Sequence, residues 1–125
     1  MNILKKLFGG QKTTEEVRET KEKGFDKVKY EGVRALRMHQ FDLAAKSLEH
    51  ALQLNAEDLE CRDYLSQAYI SMGNLQQAYA QLLKISEAQS DNIAVLLRMA
   101  DVAYMMEDYI AMTDVCDKAL QLDAE

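Results

Sequence analysis

The sequence predicts an all-α chain built as a stack of helical hairpins, and three observations carry that prediction. The first is a period of 34 residues: the small and apolar positions of residues 25–58 line up with those of 59–92 and again with those of 93–125. A fixed period of this length marks a stacked-repeat architecture, in which each unit buries its apolar face against its neighbours. The second is composition, with no Pro, five Gly and few β-branched residues, which favours helix throughout. The third is a set of short breaks at one-period spacing, His39-Gln40, Gly73-Asn74 and Glu107-Asp108, which force antiparallel helical neighbours.

Each element follows from its own residues. Helices are expected at about 26–39, 41–54, 56–72, 75–88, 92–106 and 109–122, separated also by Asn55 and by Gln89-Ser90-Asp91. Gly73 supplies a left-handed turn at little cost, and Asn74 is expected to cap the helix that follows. Ahead of the repeats, residues 11–24 are polar, with Val17 as the one aliphatic anchor. Thr13 and Glu16 form a capping-box pattern and Gly24 is expected as a stop, giving a marginal exposed helix. Residues 1–24 are therefore expected to be a basic extension and 25–125 the repeat domain, with units 25–58, 59–92 and 93–125.

Within the units, Phe41-x-x-Ala44-x-x-x-Leu48-x-x-Ala51 becomes Leu75-x-x-Ala78-x-x-x-Leu82-x-x-Ile85 and then Tyr109-x-x-Met112-x-x-x-Cys116-x-x-Ala119. Gly32, Ser66 and Ala100 recur one period apart on the first helix of each unit. On these residues the chain resembles the tetratricopeptide repeat family over 25–125, about four-fifths of its length. The resemblance implies a right-handed α-solenoid of three helix-turn-helix hairpins. It also implies small residues where helix axes approach to about 8–10 Å, since a large side chain has no room there. Two departures stand out. The Pro that usually ends a unit is replaced by Ala56, Ser90 and Ala124, so the second helix of one unit is expected to run on towards the next. Met112 stands where a small residue is usual, which implies a wider crossing in the third unit.

The resemblance implies a non-enzymatic scaffold that binds a protein segment in a concave groove lined by the first helices. The residues carried onto that groove are Lys29, Tyr30, Val33, Leu36 and Arg37 from the first unit, then Asp63, Tyr64, Gln67 and Ile70, then Leu97, Arg98, Asp101, Tyr104 and Met105. Leu36, Ile70 and Leu97 are equally readable as packing residues. Mixed aromatic, aliphatic and charged anchors suit an extended or helical peptide. One branch of the family grips chaperone C-terminal carboxylates through a Lys-Asn-Asn-Lys-Arg set, which falls here on Lys29, Val33, Tyr64, Ala94 and Arg98. Only the first and last survive, which argues against that clamp. Lys29, Arg37 and Arg98 are left as a basic set for one acidic group of a ligand.

No Gly-rich phosphate loop, nucleophile motif or metal-ligand cluster is present, so neither catalysis nor a cofactor is expected. Glu57, Asp58, Glu60 and Asp63 read as a solvated helix start that suits the N-terminal dipole. Cys61 and Cys116 read as buried reduced thiols, which suits a cytoplasmic protein, and His39 and His50 are too sparse to complete a zinc site.

Charge is uneven. Residues 1–40 hold ten Lys or Arg against six Asp or Glu, a balance of +4, and residues 41–125 hold five against fifteen, a balance of −10. The acidic body disfavours nucleic acid. Ile3, Leu4, Leu7 and Phe8 with Lys5 and Lys6 would share a helical face, the pattern of a weak peripheral membrane contact by residues 1–8; a disordered tail is the competing expectation. At the other end Leu96, Met99, Val102, Met106, Val115 and Leu120 are expected to be only partly covered, suggesting homo-oligomer contact or continuation of the array. Two alternatives stay open on the sequence alone: a regulatory or targeting domain of a larger, even enzymatic, protein cut at residue 125, and a self-assembly module.

Overall fold

The computed structural model describes residues 13–124; the segment 1–8, with its expected apolar face, lies outside them. Among the described residues six helices follow in order: α1 (Thr14–Arg37), α2 (Phe41–Leu54), α3 (Leu59–Met72), α4 (Leu75–Ala88), α5 (Ile93–Met105) and α6 (Tyr109–Ala124). Each packs on the helix before and the helix after it, and α1 also touches α3. That pattern is a helical solenoid, with the first helices α1, α3 and α5 on one side and α2, α4 and α6 on the other.

The apolar stripes close into two layers of core. Phe25, Ala35, Leu48, Leu65 and Tyr69 belong to the first, and Leu82, Val95, Met99, Val102 and Val115 to the second, with Ile70 packed against both. Small residues stand at the crossings: Gly32, Ala44 and Ala51 in the first unit and Ser66 and Ala78 in the second are all buried. Gly32 leaves no spare room. A Cβ built there would lie 2.7 Å from Leu48 Cγ and 2.8 Å from its Cδ2. Buried Ser66 satisfies its hydroxyl by donating to the Asp63 carbonyl at 2.7 Å.

The three hairpin turns share one geometry. His39, Gly73 and Glu107, spaced by the period, all take left-handed backbone with φ of 58°, 77° and 60°. The next residue's N–H then reaches back five positions: Gln40 to the Ala35 carbonyl, Asn74 to Tyr69 and Asp108 to Ala103, at 2.8 to 2.9 Å. Only the middle turn has glycine for this conformation. Asn74, expected to cap α4, makes no side-chain cap bond; its carbonyl accepts from Ala78 N–H instead.

Three further expectations are corrected. Gly24 does not stop a helix, because α1 is continuous from Thr14. The capping box at Thr13 and Glu16 forms as expected, and the packed half of α1 supplies the nucleus, so propagation back through one glycine costs only about 1 kcal/mol. α6 continues through Ala124, but in the first two units the second helices do not run on where Pro is missing. They end at Leu54 and Ala88, and Asp58 and Asn92 start the next helices by accepting from Cys61 N–H at 2.9 Å and Val95 N–H at 3.2 Å. The third unit is also better covered than its sequence suggests: Leu96, Met99, Val102 and Val115 are buried, Met106 is half-buried, and of the six only Leu120 is exposed.

Two stability tests follow. Gly32→Ala drives a methyl group into Leu48 and is expected to cost about 1–3 kcal/mol in denaturant unfolding. Glu107→Gly is expected to stabilise by up to about 1 kcal/mol by removing left-handed strain, whereas Gly73→Ala loses about as much.

Candidate functional site

The face formed by α1, α3 and α5 is tied together by ion pairs between successive first helices. Lys29 on α1 places its ammonium 2.9 Å from Asp58 Oδ2 and 2.9 Å from Glu60 Oε1. It also lies 5.6 Å above the Phe25 ring, within cation–π range. Asp58 thus does two things, capping α3 and anchoring α1 to it. One unit on, Arg98 of α5 donates to Asp63 of α3, whose other oxygen accepts from Gln67 Nε2 at 3.1 Å. On the opposite flank Arg62 donates to Gln81 Oε1 at 2.8 Å and to the Ala56 carbonyl at 2.9 Å, joining α3 to α4 and the loop before α3.

These contacts alter the expected chemistry of the groove. Asp58, Glu60 and Asp63 are partners of cations rather than a merely solvated helix start. Lys29 and Arg98 are not left open for an acidic ligand. Each of the two already carries a carboxylate of the chain, and Arg37 is exposed with no ion pair among the described residues.

The remaining residues divide by burial. Leu36, Tyr64 and Ile70 pack against the core, and Val33 is half-buried. Tyr30, Arg37, Gln67, Leu97, Asp101, Tyr104 and Met105 are exposed, Tyr30 by 66% and Leu97 by 51%. Leu97 is thus a surface residue rather than a packing one. Between α3 and α5 a cleft of about 260 Å³ is lined by Glu60, Asp63, Arg98, Ala94 and Val95, and also by Gln89 and Asn92. Those last two come from the loop before α5, outside the first-helix positions. Their bond, Asn92 Nδ2 to Gln89 Oε1 at 2.9 Å, shapes the loop and brings both side chains to the cleft. Two polar amides in a short inter-unit loop were the only sequence signal for them.

Buried groups near this face are held protonated. Burial first, then the Asp58 charge, pushes the Cys61 thiol up to about 11; the thiol donates to the Leu48 carbonyl at 3.4 Å. Burial and then the bond to Glu49 raise the Tyr69 hydroxyl well above its usual value. For Lys29, burial alone would lower the pKa, but hydrogen bonds to Asp58 and Glu60 outweigh it and carry it above 10.5. Cys116, expected to be buried, is half-buried.

All three shifts keep protons on the folded chain, so their stabilisation is complete at neutral pH and is lost as pH rises. For Cys61 the window runs from the usual 9.0 to about 11. Unfolding free energy should be flat below that window and fall through it, and Cys61→Ala should make the fall shallower. Thiol labelling of the folded chain should reach Cys116 well before Cys61.

Among the described residues no helix is long and apolar enough to cross a membrane. A search of curated protein sequences returned no match. Among solved structures the chain is similar to the TPR domain of Arabidopsis OM64, with 19% identity over 83% of this chain and 86% of that one and a TM-score of 0.71. It is also similar to the TPR2B domain of yeast Sti1, solved as a complex with pHsp70, with 18% identity, 81% of each chain covered and a TM-score of 0.69. The Sgt2 TPR domain from Aspergillus fumigatus matches at 18% identity over 81% of this chain and 67% of that one, with a TM-score of 0.68. Likenesses at this identity concern the fold. The sequence itself matches the family model described as tetratricopeptide repeat over residues 35–100. With more than half its length on that model, and its small crossing residues and turns repeating at one period, the chain belongs to the tetratricopeptide repeat family.

Proposed function

We propose that this chain is a non-catalytic interaction module that binds a protein segment along the face of α1, α3 and α5. The observation that carries the reading is the exposure of Tyr30, Leu97 and Tyr104 on helices that bury Phe25 and Ala35 on α1 and Val95, Met99 and Val102 on α5. Large apolar anchors left in water on a concave scaffold gain most from a partner that covers them. The yeast Sti1 domain, solved with pHsp70, lends support by fold.

The kind of segment follows from what the cations are doing. Lys29 and Arg98 are held by Asp58, Glu60 and Asp63, so a ligand carboxylate must displace an internal partner before it binds there. An apolar, aromatic-rich segment meets no such competition, and the amides of Gln89 and Asn92 offer it polar contacts at the cleft. Two free thiols, Cys61 fully buried, fit a reducing compartment, and we place the module in the cytoplasm.

The test is peptide binding. Peptides selected from a displayed random library on the intact protein should bind Tyr30→Ala/Leu97→Ser at least about tenfold more weakly, with melting unchanged because both side chains are exposed. Equal affinity for the double variant would remove this face as the binding site.

A further inference from the structure

The tip of the third hairpin is unlike the other two. Tyr104, Met105, Tyr109 and Ile110 are exposed by 62%, 46%, 54% and 79%, and the two tyrosine rings meet edge to face at 6.3 Å. One period back, Tyr104 and Tyr109 correspond to Ile70 and Leu75, both packed against the second core. Stacking explains why that pair is apolar. It does not explain Met105 and Ile110, whose counterparts are polar in both earlier units: Arg37 and Ser71 for the first, Asp42 and Gln76 for the second. All four counterparts are exposed, so these positions face water rather than a neighbouring unit. An apolar pair placed at solvent-facing positions is the mark of a docking surface.

The rim of this surface is acidic. Asp101, Glu107, Asp108 and Asp114 are exposed and none of them has an ion-pair partner among the described residues. A fitting partner therefore carries large apolar side chains and positive charge without acids. Residues 1–12 have that chemistry: Ile3, Leu4, Leu7 and Phe8 with Lys5, Lys6 and Lys12, and no acid among them. The segment Ile3–Phe8 as a whole cannot come from the same molecule. The hairpin tips lie at the C-terminal end of α1, whose 24 residues span about 36 Å from Thr14. Phe8 is five residues from Thr13 and reaches at most about 18 Å when fully extended.

We infer that the apolar, acid-rimmed tip formed by Tyr104, Met105, Tyr109 and Ile110 receives the basic apolar segment Ile3–Phe8 of a second copy of this chain. Such a contact joins head to tail. Each copy keeps a free tip and a free basic segment, so association runs on into chains rather than closing as a two-fold dimer. The attraction is partly electrostatic and weakens with salt.

The test uses the full chain in light scattering across concentration and salt. The mass should rise continuously with concentration and fall with added salt. Ile110→Asp at the tip and Leu4→Asp/Leu7→Asp in the basic segment should each weaken self-association by about tenfold or more, with melting unchanged. Mixed together, the two variants should form a one-to-one pair and nothing larger, because each supplies the half that the other lacks. A lasting monomer at the highest soluble concentration would overturn the inference. So would a closed dimer that the Leu4→Asp/Leu7→Asp variant leaves intact, which would mean that two tips pair with each other. A third overturning result is recruitment to phosphatidylcholine–phosphatidylglycerol vesicles that Ile110→Asp does not change, in a chain that does not self-associate.

Discussion

Where Gly32 meets Leu48, two helices approach so closely that a single methyl group does not fit, and the remainder of the fold is arranged around that closeness. Packed interiors tolerate neither voids nor overlap, so one tight crossing sets the separation of α1 and α2 and hence the space for every other side chain between them. Ala44 and Ala51 on α2 and Ala78 on α4 are likewise small and fully buried. The separation then lets Leu48 and Leu82 fill the middle of each layer with no exposure at all. In the third unit Cys116 takes that place on α6, which packs on α5, and is only half-buried.

Packing fixes how far apart the helices stand, while polar contacts influence how one unit is turned against the next. Lys29 with Asp58 and Glu60, and Arg98 with Asp63, join first helices across unit boundaries. A more exposed pair such as Arg98–Asp63 contributes little to stability, about 0–1 kcal/mol, so the importance of these contacts lies in orientation and in what they withhold from a ligand. On the proposed reading, a face whose Lys29 and Arg98 are internally paired discriminates by apolar contact. The same economy appears at Asp58, whose one carboxylate caps α3 and holds Lys29.

The two ends of the array differ in chemistry. Residues 14–23 of the extended α1 are all exposed, supported by a capping box and an Arg18–Glu22 pair rather than by a core. The third hairpin instead carries apolar side chains outward and is rimmed by acids. On the proposed reading, the acid-rimmed tip at one end and the basic segment Ile3–Phe8 at the other favour linear association.

The sequence by itself determined the helical hairpins, their period, the crossing residues and the turns, because each depends on neighbours three to five positions away or on a strict repeat. The capping box at Thr13 and Glu16 and the turn at Gly73 were legible for the same reason. Tertiary structure decided what depends on neighbours far along the chain. It carried α1 through Gly24, because a packed helix propagates past one weak residue. It buried Leu96, Met99, Val102 and Val115 by closing the second core over them. It also joined Lys29 to Asp58 and Asp63 to Arg98, 29 and 35 residues apart, and so decided which of the expected groove charges are free. Periodicity assigns a residue to a face; only the packed units show which side chain on the neighbouring unit has already taken its charge.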